Sequence, residues 1–231
     1  INAMIVDVLT GELFDFFNGQ EDIKNQVIRH TTDKVFAEDP LRAYRAVQFA
    51  GRLGFSIDTD TVELIKQTDL SGLKAERVYG ELHKLLLLSE KPSAGLRWMQ
   101  ETGVLEKVHP ELYKLLRCKQ SPEHHPEGDV WEHTLLVVDQ AARLKEKSRN
   151  PEALMFAALL HDIGKPGTTR ARDGKITAYG HDVSGDKMAR SFLRKFTAGQ
   201  QLVSEVGTLV REHMQPVLLY KQKDRVGDKA I

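Results

Sequence analysis

The sequence has 231 residues, 41% hydrophobic and 29% charged with 17 glycines and 8 prolines, a balance that suits one or two folded domains and excludes disordered and collagenous chains. Lys plus Arg and Asp plus Glu number 33 each, so net charge offers no general argument for a nucleic-acid partner. The apolar runs Leu85–Leu88 and Leu154–Leu160 fall far short of the roughly 20 residues of a membrane helix, and a single cysteine, Cys118, without a basic-then-apolar leader points to a reducing cytoplasm.

Met4, Val6 and Val8 alternate as a strand does, Thr10 and Gly11 mark a turn, and Leu13, Phe14, Phe16 and Phe17 lead to a second turn at Asn18 and Gly19. This predicts a β-hairpin, marginal alone in water and readable as the edge of a larger sheet. From Asp39 the period becomes helical. Asp39 is a good N-cap, Pro40 suits the first helical position, and Ala43, Val47, Ala50 and Leu53 recur at spacings of three and four up to Gly54. Further helices are predicted over Thr59–Gln67, Ala75–Leu88 and Pro92–Thr102, with Gly103 as a stop and a short piece after Pro110. Leu64, Ile65, Leu82, Leu85, Leu86, Leu96, Trp98, Met99 and Leu105 form the predicted core of this helical region. The polar loop Lys119–Gly128 marks a domain boundary. Beyond it, Asp129 and Glu132 have capping-box spacing ahead of Leu135–Val138, which puts His133 in the first turn of a helix.

Nine histidines are present, and His133, His161, His181 and His213 fall at the ends of predicted helices. His161 and Asp162 follow the apolar run Ala153–Leu160, and Gly164 with Pro166 stops that helix. Neighbouring helical positions lie about 100° apart, so this imidazole and carboxylate can converge on one ion. A carboxylate at the end of a buried segment is costly unless paired or metal-bound, and His with Asp is a ligand set for a divalent cation. A helix-end histidine can equally serve the helix dipole or the core. For His213, which continues the stripe Leu202, Val206 and Leu209 before Pro216 ends the helix, packing is a sufficient alternative. Packing does not call for His161-Asp162 followed by Ile-Gly-Lys-Pro. His124 and His125 lie between prolines in the loop and are weaker candidates for ligand contact. Lys165 reads either as a contact to an anionic substrate or as a solvated lysine.

The succession His133, His161-Asp162 in HDIGKP, His181 in YGHD and His213 in VREHM resembles the HD superfamily of metal-dependent phosphohydrolases. The resemblance implies that His133, His161 and Asp162 are metal ligands and that His181 and His213 match the additional histidines of members that bind metal more extensively. It also makes His161 and Asp162 the catalytic pair, with Lys165 on the substrate phosphate. That family's pattern closes with an aspartate on a later helix, for which Asp224 and Asp228 are poor substitutes. In the first half, INAM, GELFDFFNGQEDI, EDPLRAYRAVQFAGRLGF, RVYGELHKLLL and GVLEKVHPEL resemble the palm end, neck and helical body of bacterial tRNA nucleotidyltransferases (CCA-adding enzymes) and poly(A) polymerases. Bacterial members often carry an HD domain after that body, so the two resemblances join and cover essentially the whole chain.

By the second resemblance Glu38, Asp39 and Arg42 belong to the motif that reads the base edge of CTP or ATP. A carboxylate can accept from an exocyclic amine while a guanidinium donates to ring acceptors. On spacing alone the same residues read as a cap beside a solvated arginine. Arg45 is a further candidate for nucleotide phosphate or RNA contact, and Asn2 would be the tail of an arginine-rich motif. The paired carboxylates that hold magnesium for nucleotidyl transfer would lie before Ile1, since Asp7, Asp15 and Asp22 have the wrong context.

The expectation is therefore a mainly α chain truncated at both ends. Residues 1–30 form a palm edge with a short β-hairpin, 31–118 the helical neck and body, and 119–231 an all-helical HD-type domain. Any activity of its own is expected to be metal-dependent phosphoester hydrolysis with nickel, manganese or magnesium. The implied partners of the intact enzyme are a tRNA or other RNA 3′ end and CTP or ATP. Two alternatives stand beside this. A non-catalytic tRNA-binding module would show salt-dependent tRNA affinity without hydrolysis, and a free-standing nucleotide phosphohydrolase would cleave cyclic nucleotides without binding tRNA.

Overall fold

A computed structural model describes residues 3–172 and 175–221, with the side chain of Arg172 excepted. The chain divides into two compact units, Ile1–Tyr113 and Lys114–Ile231. In the first, β1 (Met4–Val6) and β2 (Leu13–Asp15) pair antiparallel, Met4 opposite Asp15 and Val6 opposite Leu13. The strands stop short of Val8 and Phe16, and two aspartates bind backbone donors of the turns that follow. Asp7 Oδ1 accepts the Leu9 and Thr10 N–H groups at 2.7 and 3.1 Å, and Asp15 accepts those of Gly19 and Gln20 at 2.7 and 2.9 Å. These bonds hold both carboxyls below the usual range. Asp22 pairs with Arg29 at 3.1 Å. Each of the three aspartates thus has a structural task.

The predicted turn at Asn18 and Gly19 instead opens a helix, α1 (Gly19–Lys24), entered through Asn18 at φ 57°. It leads to β3 (Val27–Ile28), which pairs in parallel with the later β4 (Ser56–Ile57). A single turn of helix, α2 (Val35–Glu38), precedes α3 (Leu41–Leu53). Asp39 is extended (φ −146°, ψ 95°), Pro40 already has helical angles, and the Asp39 carboxylate accepts the Leu41 N–H at 3.2 Å, so the predicted start has its physical basis. Ala43, Val47 and Ala50 are fully buried, whereas Leu53 at the last turn is 47% exposed.

The rest of this unit is α4 (Thr59–Gln67), α5 (Ala75–Leu88), α6 (Pro92–Glu101), α7 (Val104–Val108) and α8 (Pro110–Tyr113). Ile65, Leu82, Leu85, Leu86, Leu96, Met99 and Leu105 are fully buried, and Leu64 and Trp98 are half-buried. Helices α3 and α6 meet backbone to backbone. A Cβ added at Gly51 would lie 2.6 Å from Gly95 Cα, so both positions need glycine for the helices to close.

The second unit holds α9 (Val130–Leu144), α10 (Pro151–Leu160), α11 (Lys165–Thr168), the hairpin β5 (Arg170–Arg172) and β6 (Lys175–Thr177), then α12 (His181–Lys195), α13 (Gln200–Glu212) and α14 (Gln215–Lys221). Asp129 caps α9 by accepting the Glu132 N–H at 3.0 Å. Helix α10 is buried along nearly its whole length and packs against α9 and α13, which explains why it shows no polar face. Two expectations change. The hairpin interrupts a region read as all-helical, and Pro216 does not merely end α13 but lies in the first turn of α14, where a missing N–H is harmless. Among the described residues no helix is long and apolar enough to cross a membrane.

Candidate metal centre

The fold brings the histidine-bearing helix ends of the second unit to one carboxylate. His161 caps the C-terminus of α10 and Asp162 lies in the turn beyond it. His133 is in the first turn of α9, His181 is the first residue of α12, and His213 is the C-cap of α13. Gly164 allows the convergence, because a Cβ there would collide with the His181 carbonyl.

The Nε2 atoms of His161 and His133 lie 3.1 and 3.9 Å from Asp162 Oδ2, and those of His181 and His213 lie 3.5 and 3.8 Å from Oδ1. Each carboxylate oxygen thus has its own pair of imidazoles. The far side of three rings fixes their tautomer. His161, His181 and His213 place Nδ1 2.9, 2.6 and 2.7 Å from the carbonyls of Ala158, Ala178 and Val210. A carbonyl can only accept, so Nδ1 donates and the lone pair is left on Nε2, pointing inward. His133 does the same through a side chain: its Nδ1 donates to Glu127 Oε1 at 2.6 Å, and His125 Nδ1 reaches the same oxygen at 3.0 Å.

The cluster is poorly satisfied as it stands. Asp162 is 1% exposed, and its two oxygens and His161 Nε2 are buried without a hydrogen bond, although Lys165 Nζ stands at an ion-pair distance of 2.7 Å from Oδ2. His181 Nε2 and His213 Nε2 face each other at 3.2 Å, an arrangement that asks for a proton or a cation between them. Burial alone would raise the Asp162 pKa, but His161 and Lys165 outweigh it and hold the carboxyl well below its usual range. For His133 and His213, burial and the neighbouring His161 push the pKa down, which favours the neutral, ligating form. Buried carboxylate oxygens without hydrogen bonds, surrounded by imidazole lone pairs, suit a divalent cation.

A cavity of about 600 Å³ opens on the cluster, with Lys165, His125 and the more exposed His124 on its wall and Ile176, Tyr179 and Met214 supplying apolar surface. Lys165 is buried rather than solvated, with Gln120 Oε1 accepting from it at 2.6 Å. Glu127 and Gln120 were not singled out from sequence. Both sit in the loop before α9, where polar residues carry no period, and the only available signal was their nearness in sequence to His125 and His133.

Of the residues expected from the sequence to form a nucleotide motif, Asp39 lines one cavity, Arg42 and Arg45 line another, and Glu38 lines neither. Arg42 pairs with Glu38 at 3.2 Å, and with Arg45 it lines a cavity of about 280 Å³ beside His30 and Phe49. The Arg45 guanidinium lies over the Phe49 ring, 5.7 Å from its centroid. Asp39 lines a different cavity and is gripped by Arg77 at 3.0 and 3.3 Å, a contact that holds its carboxyl below the usual range. Asn2, Asp224 and Asp228 lie outside the described residues.

Comparison with known proteins agrees with the resemblances. Residues 130–228 match the family model of the HD domain, and residues 54–116 match that described as "Probable RNA and SrmB- binding site of polymerase A". The multifunctional CCA protein of Actinobacillus pleuropneumoniae serotype 5b is 39% identical over 220 residues, covering 92% of this chain and 52% of that protein. That of Neisseria gonorrhoeae is 36% identical over 218 residues, covering 93% and 51%. The chain therefore spans about half the length of the curated relatives it matches. Among solved structures, a tRNA-processing enzyme in an apo form shares the fold with a TM-score of 0.63 at 23% identity, covering 97% of this chain and 57% of that one. The Thermotoga maritima CCA-adding enzyme complexed with tRNA_CCA does so with a TM-score of 0.59 at 23% identity, covering 97% and 48%.

Proposed function

We propose that this chain, a relative of multifunctional CCA proteins that carries an HD domain, holds a divalent cation in its second unit and hydrolyses phosphoesters there. The observation that carries this reading is the convergence of the His133, His161, His181 and His213 Nε2 atoms on the buried Asp162 carboxylate, whose only other close charge among the described residues is the Lys165 ammonium. These five residues would hold the ion, with magnesium, manganese and nickel as the candidates. Bound there, such an ion supplies Lewis acidity toward a phosphoester and lowers the pKa of water toward neutrality. The rest is the work of the chain itself. Glu127 orients His133, three backbone carbonyls orient the other imidazoles, and Lys165 offers an N–H to a phosphoryl oxygen.

For the whole chain, residues 1–30 are read as the edge of a nucleotidyltransferase palm, 31–118 as neck and body, and 119–231 as the HD domain of a cytoplasmic CCA-adding-type enzyme. Its partners would be a tRNA 3′ end and CTP or ATP, with magnesium serving the transfer. Arg42 and Arg45, on one cavity, support nucleotide binding, with Glu38 and Asp39 completing the motif. Asp39 already accepts from Arg77, so its part at a base edge is expected to couple to that ion pair.

The test is hydrolysis of a 2′,3′-cyclic nucleotide by the metal-stripped chain with nickel, manganese or magnesium added back. Activity that needs the metal and disappears in His161→Ala is expected. Absence of activity with every metal would refute the hydrolytic reading.

A further inference from the structure

We infer that Gln120 is a positioning residue for Lys165, keeping its ammonium at the cavity for an anionic phosphoryl oxygen when a cation takes Asp162. This rests on the reading of the cluster as a cation-dependent phosphoester site. Lys165 Nζ stands between two acceptors, Asp162 Oδ2 at 2.7 Å and Gln120 Oε1 at 2.6 Å. An ammonium has three N–H donors and no lone pair, so the Gln120 amide must turn its oxygen toward Lys165. Its Nε2 is then left buried with no hydrogen-bond partner. Gln120 is 7% exposed and Lys165 9%. A buried amide that leaves its own donor unserved in order to accept from one lysine is placed for that lysine.

The charges explain why an amide serves here. Asp162 Oδ2 also faces His133 and His161, so a cation held by them would share that oxygen with the ammonium and oppose it. The bond to Gln120 carries no such conflict. A carboxylate at position 120 would hold Lys165 as well but would neutralise it, whereas the neutral amide leaves the full charge for an anion. Lys165 and Gln120 both line the cavity on which the histidines open, 45 residues apart in sequence and joined by this one bond.

Inorganic phosphate is the probe, titrated calorimetrically into the manganese-loaded full chain. Wild type is expected to bind it, and Gln120→Leu and Lys165→Met each to weaken binding about tenfold, the loss of one charged hydrogen bond. The double variant should be no weaker than Lys165→Met within about twofold, because the two residues act as one unit. Gln120→Glu, which keeps shape and acceptor, should also weaken phosphate at an unchanged melting temperature, and this separates positioning from folding. Manganese affinity measured without phosphate should stay within about twofold for Gln120→Leu, since no ligand is removed. Phosphate binding by Gln120→Leu or Gln120→Glu at wild-type strength, multiplicative losses in the double variant, or no phosphate binding by the loaded wild type would each overturn the inference. A wild type that takes up no manganese would instead refute the metal-site reading beneath it.

Discussion

Replacing Glu127 by alanine removes the carboxylate oxygen that accepts from both His133 and His125. His133 has no ready substitute. The carbonyl three residues before it, on Val130, already accepts the Thr134 hydroxyl at 2.8 Å, whereas the corresponding carbonyls serve His161, His181 and His213 directly. Without Glu127 the ring of His133 is free to turn and to place its proton on either nitrogen. The lost bond is charge-assisted, about 1.5–3 kcal/mol, and because both side chains are about one-fifth exposed the lower part of that range applies. That corresponds to a cation affinity reduced about tenfold, at the low end of the effect of residues that orient metal ligands. Calorimetric titration of the metal-stripped chain with manganese measures it. Glu127→Gln should recover part of the loss, since an amide oxygen can still accept one Nδ1–H. Unchanged affinity in Glu127→Ala would refute the orienting role, and equal losses in the alanine and glutamine variants would show that only the charge matters.

Gly51→Ala should destabilise the first unit by about 1–3 kcal/mol, because the added Cβ meets the α6 backbone, which cannot yield as a side chain can; an unchanged urea midpoint for that unit would contradict the packing. Asp39→Asn should cost about 0.5–1 kcal/mol at pH 7 through the loss of its partly exposed Arg77 pair. The folded Asp39 pKa lies below its unfolded value of about 3.9, so this stabilisation is present above that pH and fades as pH falls through the folded value. Thermal melts of wild type and Asp39→Asn should therefore begin to draw together as pH falls below about 3.9, and a gap that does not narrow on further acidification would rule out the ion pair as its cause.

The long helices were legible because their apolar residues keep helical period and their ends carry Asp, Pro and Gly in the expected places, as at Asp39, Pro40 and Gly54. The cluster was legible too, since the order of His133, His161-Asp162, His181 and His213 puts each group at a helix end. What escaped was set by tertiary contact. The pair β3–β4 has two residues per strand and shows no alternation, and Leu53 keeps the period of α3 but is left exposed as its last residue. Glu127 and Gln120 are loop residues whose tasks exist only once His133 and Lys165 arrive beside them. Asp39 and Arg42 are three apart in sequence, yet they line different cavities because Arg77 of α5 captures the aspartate.

The most direct measurement is calorimetric titration of manganese into the metal-stripped chain, wild type against Asp162→Asn, with circular dichroism to confirm that both are folded. Among the described residues Asp162 is the group that all four imidazoles address. Saturable binding by wild type and its loss in Asp162→Asn is the expected result. A wild type that takes up no manganese, nickel or magnesium, or an Asp162→Asn variant that binds as tightly as wild type, would contradict the metal centre.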